Sequence, residues 1–191
     1  MASVLKVDSI EPANSATGLK GTIIETLAGV CDGTTVTVQS GTYQFPNVTT
    51  SQNLSTTYAD VTGSSIDYTP PNGTSRVVYE FNYQQAWSSG SHCISHWKLF
   101  LDNVEVTNYR KNLSGTYPEQ IPTHKWVFTI GVSDTPATGA VSSWNVAKNI
   151  KLQAREYGSG NGNDQVHATE YWDGGTSAQI SKPILQITAI R

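Results

Sequence analysis

An all-β fold, an antiparallel sandwich or jelly roll preceded by an extended N-terminal arm, follows from three features of this sequence. Ser and Thr together supply 43 of the 191 residues, and only 14% of the chain is charged. Thr, Val and Tyr favour strands, while Ser, Gly and Asn favour turns. From residue 40 onward about eight short runs alternate apolar and polar residues, separated by turn chemistry. No amphipathic pattern longer than two helical turns interrupts them, and no short repeat marks a propeller or solenoid.

The elements follow in order. SVLKVDSI, residues 3–10, alternates Leu5 and Val7 with Lys6 and Asp8, and places Val4 and Ile10 on the opposite face. It reads as a strand with no preceding partner. EPANSATGLKG is mostly turn, and GTIIETLAG reads as either a short strand or a helical turn. The aromatic-poor segment 1–40 is therefore expected to be an arm, and 41–191 the sandwich. TTVTVQSGTYQF reads as a hairpin turning at Ser40-Gly41, stopped by Pro46. One short strand lies within STTYADVTGSSIDYTPPNGT, whose Pro70-Pro71-Asn72-Gly73 is a firm turn. SRVVYEFNYQQAW places Val77, Tyr79, Phe81 and Tyr83 on one face and Val78, Glu80, Asn82 and Gln84 on the other. That is the pattern of a half-buried antiparallel strand. HWKLFLDNVEVTNYR is a second hairpin about Asp102-Asn103. KWVFTIGV, NIKLQAREY and KPILQITAIR repeat the alternation.

The composition excludes several function classes. The net charge is −3 with no basic stripe, which argues against nucleic acid as a partner. No run of 18 apolar residues occurs, so no membrane insertion is expected, and no signal peptide is visible. Synthesis and assembly are expected in a cytoplasm. The sequons at Asn47, Asn53, Asn72 and Asn112 are then chance matches. Cys31 and Cys93 fit no zinc spacing; they read as reduced thiols, with a bridge between them left open.

No nucleophile elbow, HExxH pair, phosphate loop or dinucleotide fingerprint is present. The glycine-rich GSGNGNDQ leads into no helix and reads as a loop. The four histidines are His92, His96, His124 and His167; His92 and His96 have a spacing that would suit a metal on a helix, but SHCISHW lies between a loop and a strand and reads as structural or solvent, and no metal or other cofactor is assigned. One histidine per chain near a threefold axis remains a conceivable ion ligand. Asp60 with Asp67, or Glu156 with Glu170, are conceivable carboxylate pairs for glycoside hydrolysis, but no pattern selects them. The expectation is a protein without enzymatic activity. Aromatics in loops carry more information. Trp87, Tyr117, Trp144, Tyr171 and Trp172 fall at strand ends or in Gly/Ser-rich connections, where rings stack on sugars or anchor interfaces. They are candidate ligand-binding residues; the competing reading is that they cap the core.

ASVLKVDSI resembles the start of many tail-fibre and virion structural proteins of marine bacteriophages, cyanophages in particular. TPPNGTSRVVYEF, SHWKLFLDNVEV, KNIKLQAREY and HATEYWDGG with KPILQITAI resemble a jelly-roll domain found in such proteins. In outline it is similar to the trimeric heads of the complement C1q and tumour necrosis factor group. The resemblance implies a homotrimer on a virion surface, as a tail-fibre tip or a capsid decoration. It implies partners among other virion proteins and, for a fibre tip, a host cell-surface glycan. Val4, Leu5, Val7 and Ile10 are then the expected particle-docking residues, pairing in trans because an unpaired apolar strand is an aggregation hazard. Apolar residues on both faces make KWVFTIGV and RVVYEF the candidate trimer strands. A cellular carbohydrate-binding module or adhesin is the alternative, and a polysaccharide depolymerase a third reading.

Overall fold

The structure is a computed structural model and describes residues 20–87, 93–115, 119–158, 164–170 and 178–191. Its strands, in chain order, are β1 (Ile23–Val30), β2 (Thr35–Val38), β3 (Gly41–Gln44), β4 (Gln52–Asn53), β5 (Ala59–Asp60) and β6 (Ile66–Tyr68). There follow β7 (Arg76–Asn82), β8 (Gln85–Trp87), β9 (Cys93–Leu101), β10 (Val104–Glu105), β11 (Lys111–Gly115) and β12 (Glu119–Gln120). The last are β13 (Thr123–Thr129), β14 (Lys148–Glu156), β15 (Asp164–Val166), β16 (Ala168–Glu170), β17 (Ala178–Ile180) and β18 (Ile184–Ile190). Among the described residues no helix is long and apolar enough to cross a membrane.

The strands form an antiparallel jelly roll. One sheet runs β1-β18-β7-β13, and the other runs from β10 and β11 through β9 and β14 to β5 and β6. The pairing is nested. β1 pairs with β18, β5 and β6 with β14, β7 with β13, and β9 with β10 and β11. Such nesting is what a long antiparallel ribbon gives when it folds over itself, and the pairs β18–β7 and β14–β9 then weld it into two sheets. The β12-β8-β15-β4 sheet prolongs the first, since β8 continues β7 past Tyr83-Gln84 and β12 runs into β13 past Ile121-Pro122.

The core lies between the two sheets. Val77, Tyr79 and Phe81 point inward from β7, and Leu185, Ile187 and Ala189 from β18. They meet Trp97 and Leu99 of β9 and Ile150, Leu152 and Ala154 of β14. Each fully buried side chain of this kind contributes about 1.5–3 kcal/mol over its exposed state. The period-2 alternation in the sequence maps onto these faces directly. The Asp102-Asn103 turn has positive φ at both residues (50° and 64°), as a two-residue hairpin requires.

Two expectations are corrected. Of the two readings open for GTIIETLAG the strand is the one found, as β1, while the β2–β3 hairpin that follows turns at Gln39-Ser40 and not at the expected Ser40-Gly41, because Val38 pairs with Gly41. Both lie inside the domain: Leu27 and Cys31 are fully buried, and β1 is bonded to β18 along its length. The sandwich therefore takes in residues 23–40, which the expected division at residue 40 leaves to the arm. Val4, Leu5, Val7 and Ile10 lie outside the described residues.

Gly29 shows how closely β1 is packed. A Cβ there would lie 2.6 Å from Cε2 of Phe45, whose ring is 1% exposed. Gly29→Ala is expected to destabilise the domain by about 1–3 kcal/mol through overpacking, read as a lower urea midpoint at unchanged slope. An unchanged midpoint would show that the Phe45 ring relaxes freely.

Candidate functional site

One end of the sandwich, where β8, β9, β13, β14 and β15 meet, holds most of the buried polar side chains. His124 of β13 is the centre of a relay. The Tyr109 hydroxyl donates to its Nδ1, and its Nε2–H donates to the Tyr83 hydroxyl at 3.2 Å. Tyr83 donates onward to Gln85 Oε1 at 3.2 Å. Gln85 Nε2 and Trp97 Nε1 both donate to Ser95 Oγ, at 3.4 and 2.8 Å. Each donor has its acceptor when His124 is neutral with its proton on Nε2. The ring is sandwiched by Tyr83, stacked at 5.5 Å, and Trp97 at 4.2 Å. Burial depresses its pKa from 6.5 to about 3, helped by the Lys111 charge.

His167 sits beside this cluster, edge-on to Phe81 and Tyr83. It joins β15 to β16 in a left-handed conformation, φ 66°, and its Nε2 donates to the Thr62 carbonyl at 2.8 Å. Burial lowers its pKa to about 4, against an opposing contribution from that hydrogen bond. His124 and His167 are thus core histidines. His96 bonds Asn112 through Nδ1 at 2.6 Å on the β9–β11 pair, and His92 lies outside the described residues.

The Asp60 and Asp67 carboxylates do not converge. Asp60 and Asp67 both flank β14, opposite Gln153 and Asn149. Those partners are four positions apart, about 13 Å along a strand, whereas glycosidase carboxyls stand roughly 5–9.5 Å apart. Asp60 is also engaged by Gln153 and Lys151 at 2.7 and 3.0 Å; these bonds outweigh its partial burial and lower its pKa. Glu156 and Asp164 are buried at the loop end, and the Leu54-Ser55 backbone bridges the two residues. Glu170 is described in its backbone alone. Among the described residues no group of three metal-ligating side chains comes together.

Of the predicted ligand-binding aromatics, Trp144 is the one whose side chain lies among the described residues. Trp144 is a core residue: it is 2% exposed, packs edge-on to Phe128 and donates its indole N–H to the Tyr68 carbonyl at 2.8 Å. This corrects its assignment as a ligand-binding ring. Trp87 is placed in β8 by its backbone, and Tyr117, Tyr171 and Trp172 lie outside the described residues. Cys31 is a free thiol, fully buried, donating to the Gly63 carbonyl at 3.3 Å; burial, with Asp32 nearby, raises its pKa to about 12.

The outer face of the β1-β18-β7-β13 sheet carries no covering layer among the described residues. Val30 and Ile184 are cross-strand partners there, 42% and 46% exposed. Val127 is 44% exposed beside its partner Val78. β13 is the sheet's edge strand, and Lys125 on it pairs with Glu80 at 3.0 Å.

The buried histidines give a pH dependence. Above about pH 6.5 both are neutral in the folded and unfolded chain. Below it the unfolded chain takes up protons that the folded chain refuses until about pH 3–4. Stability therefore falls as pH falls through that window, by about 1.4 kcal/mol per pH unit for each histidine. Urea midpoints at pH 7, 6 and 5 are expected to decline steadily, and His124→Gln to decline less steeply. A flat profile in both would contradict neutral burial.

No protein-family model matches the chain, and no curated protein matches it. Among solved structures, a chain of infectious bursal disease virus, Gt strain, aligns with 98% of this chain at 8% identity and a TM-score of 0.40. A chain of the Gx strain aligns at 10% identity and a TM-score of 0.36. In each case the alignment spans 42% of the viral chain.

Proposed function

We propose that this chain is a non-enzymatic structural protein of a bacteriophage virion surface, a tail-fibre tip or a capsid decoration. The jelly roll is presented as a homotrimer, and the segment ahead of Ile23 docks on the particle through Val4, Leu5, Val7 and Ile10. The observation that carries this reading is the uncovered outer face of the β1-β18-β7-β13 sheet. A monomer gains little from exposing Val30, Ile184 and Val127 on one sheet face. Apolar area of that kind is buried when copies associate. The resemblance of ASVLKVDSI and of the sandwich strands to phage virion proteins supports the same reading. Assembly would take place in the host cytoplasm, with other virion proteins as the partners.

Light scattering on the purified chain is expected to give about three times 20.7 kDa. Val127→Lys combined with Ile184→Lys places charges in the buried contact and is expected to yield a folded monomer. A wild-type monomer, or a trimer that ignores both substitutions, would remove this face from the interface. Deleting residues 2–10 is expected to leave the domain folded while abolishing its incorporation into particles. Normal incorporation would defeat the docking assignment.

A further inference from the structure

The end of the sandwich opposite His124 is where the described chain starts. Gly21 donates its N–H to the Arg191 carbonyl at 2.6 Å. From there Ile23, Ile190, Arg76 and Thr129 are successive cross-strand neighbours across the first sheet. Ile130, the next residue, bridges to Val141. Val141 lines a pocket of about 240 Å³ with Val104, Val106, Pro136 and Ala140.

Two features set this pocket apart. Its lining is mainly apolar and its floor includes the core residue Val106, so water inside it finds few hydrogen-bond partners. Its volume lies below the roughly 300–1,000 Å³ of small-molecule sites, a size that suits aliphatic side chains rather than a free ligand. The second feature is its surroundings. Ile23 at the start of β1, Val104 in β10, Val132 after β13 and Val146 before β14 are all exposed at this end. Apolar surface gathered in one place marks a contact.

The chain itself holds a fitting occupant. Residues 3–10, SVLKVDSI, lie outside the described residues and carry Leu5 and Val7 two positions apart, on one face of a strand. Residues 11–19 join them to Lys20 at this same end. Such a connection spans up to about 30 Å. The row from Ile23 to Thr129 crosses only about 15 Å of strand spacings. The charges agree as well. Asp102 is paired with Lys148 at 2.9 Å. Asp134, which also lines the pocket, accepts the Ser142 N–H at 2.5 Å and has no ion-pair partner among the described residues. Lys6, between Leu5 and Val7, supplies a cation for it.

We propose that this pocket is the docking site of the chain's own segment 3–10, with Leu5 and Val7 inserted among Val104, Val106 and Val141 and Lys6 beside Asp134. Val4 and Ile10, on the other face, stay outward. The contact covers the apolar end and removes the hazard of a free apolar strand in the isolated chain. It does not rest on the virion assignment. If that assignment holds, the segment is kept here until the particle takes it.

Methyl NMR on the full chain is the test. Deleting residues 2–10, or combining Leu5→Asp with Val7→Asp, is expected to shift the signals of Val104, Val106 and Val141 and to leave those of Leu185 and Ile187 in place. Val4→Asp with Ile10→Asp should shift neither set. Synthetic SVLKVDSI added to the deleted chain should return the signals. Trypsin cleavage after Lys6 gives a second reading, since its rate follows the fraction of time the segment is free. Ala140→Leu, which fills the pocket, and Val104→Asp, at an exposed position, should each raise that rate about tenfold. Circular dichroism reports whether each variant is folded. The proposal is overturned if the pocket signals ignore the deletion, if the Val4 and Ile10 pair acts like the Leu5 and Val7 pair, or if neither pocket substitution speeds cleavage. Protection that grows with chain concentration would place the segment in a neighbouring copy and overturn it too.

Discussion

Everything in this domain hangs on the pairing of its first described strand with its last. β1 and β18 are bonded from Ile23 and Ile190 to Val30 and Ile184, and they enclose all the other pairs. The remaining nested pairs acquire a common interior only when this outermost one holds β18 against β7. Leu27 and Leu185 are fully buried on that condition. Most of the pairing that builds the two sheets is remote in sequence, so loop-closure entropy is paid before the core rewards it.

Within that frame the polar groups divide into two kinds. Those around His124 are sealed among rings at one end, where the Tyr109–His124–Tyr83–Gln85 hydrogen bonds orient one another. Glu25 serves the hairpin instead. Its carboxylate reaches Ser40 and Tyr68 and joins β1, β2–β3 and β6 into one rigid corner. Removing its charge would strand three donors in a low-dielectric setting, a cost of about 1–3 kcal/mol for each group left unpaired. The corner is therefore as fixed as the core behind it.

The sequence made the central strands legible because their two faces differ chemically. Val77, Tyr79 and Phe81 against Glu80 and Asn82 admit one orientation, and Asp102-Asn103 admits one turn. β1 was ambiguous for a physical reason: Glu25 is buried while Ile23 is exposed, and the register shifts between them, so the apolar and polar residues do not alternate as a strand's faces would have them. The arm boundary was misplaced with it. Trp144 sits in a polar stretch, and nothing local shows that its indole N–H reaches a carbonyl 76 residues away.

Cys31 lies one residue beyond the β1–β18 pair, its N–H bonded to the Pro183 carbonyl at 2.9 Å and its thiol sealed from water. Its raised pKa leaves almost no thiolate at neutral pH, and alkylating reagents attack thiolate. Modification therefore has to wait for the end strands to part. In a chain with Cys93 replaced by serine, the rate of Cys31 labelling is a clock for that separation. A rate that tracks global unfolding would mean the closure opens only with the whole domain. A faster one would mean the first strand breathes on its own.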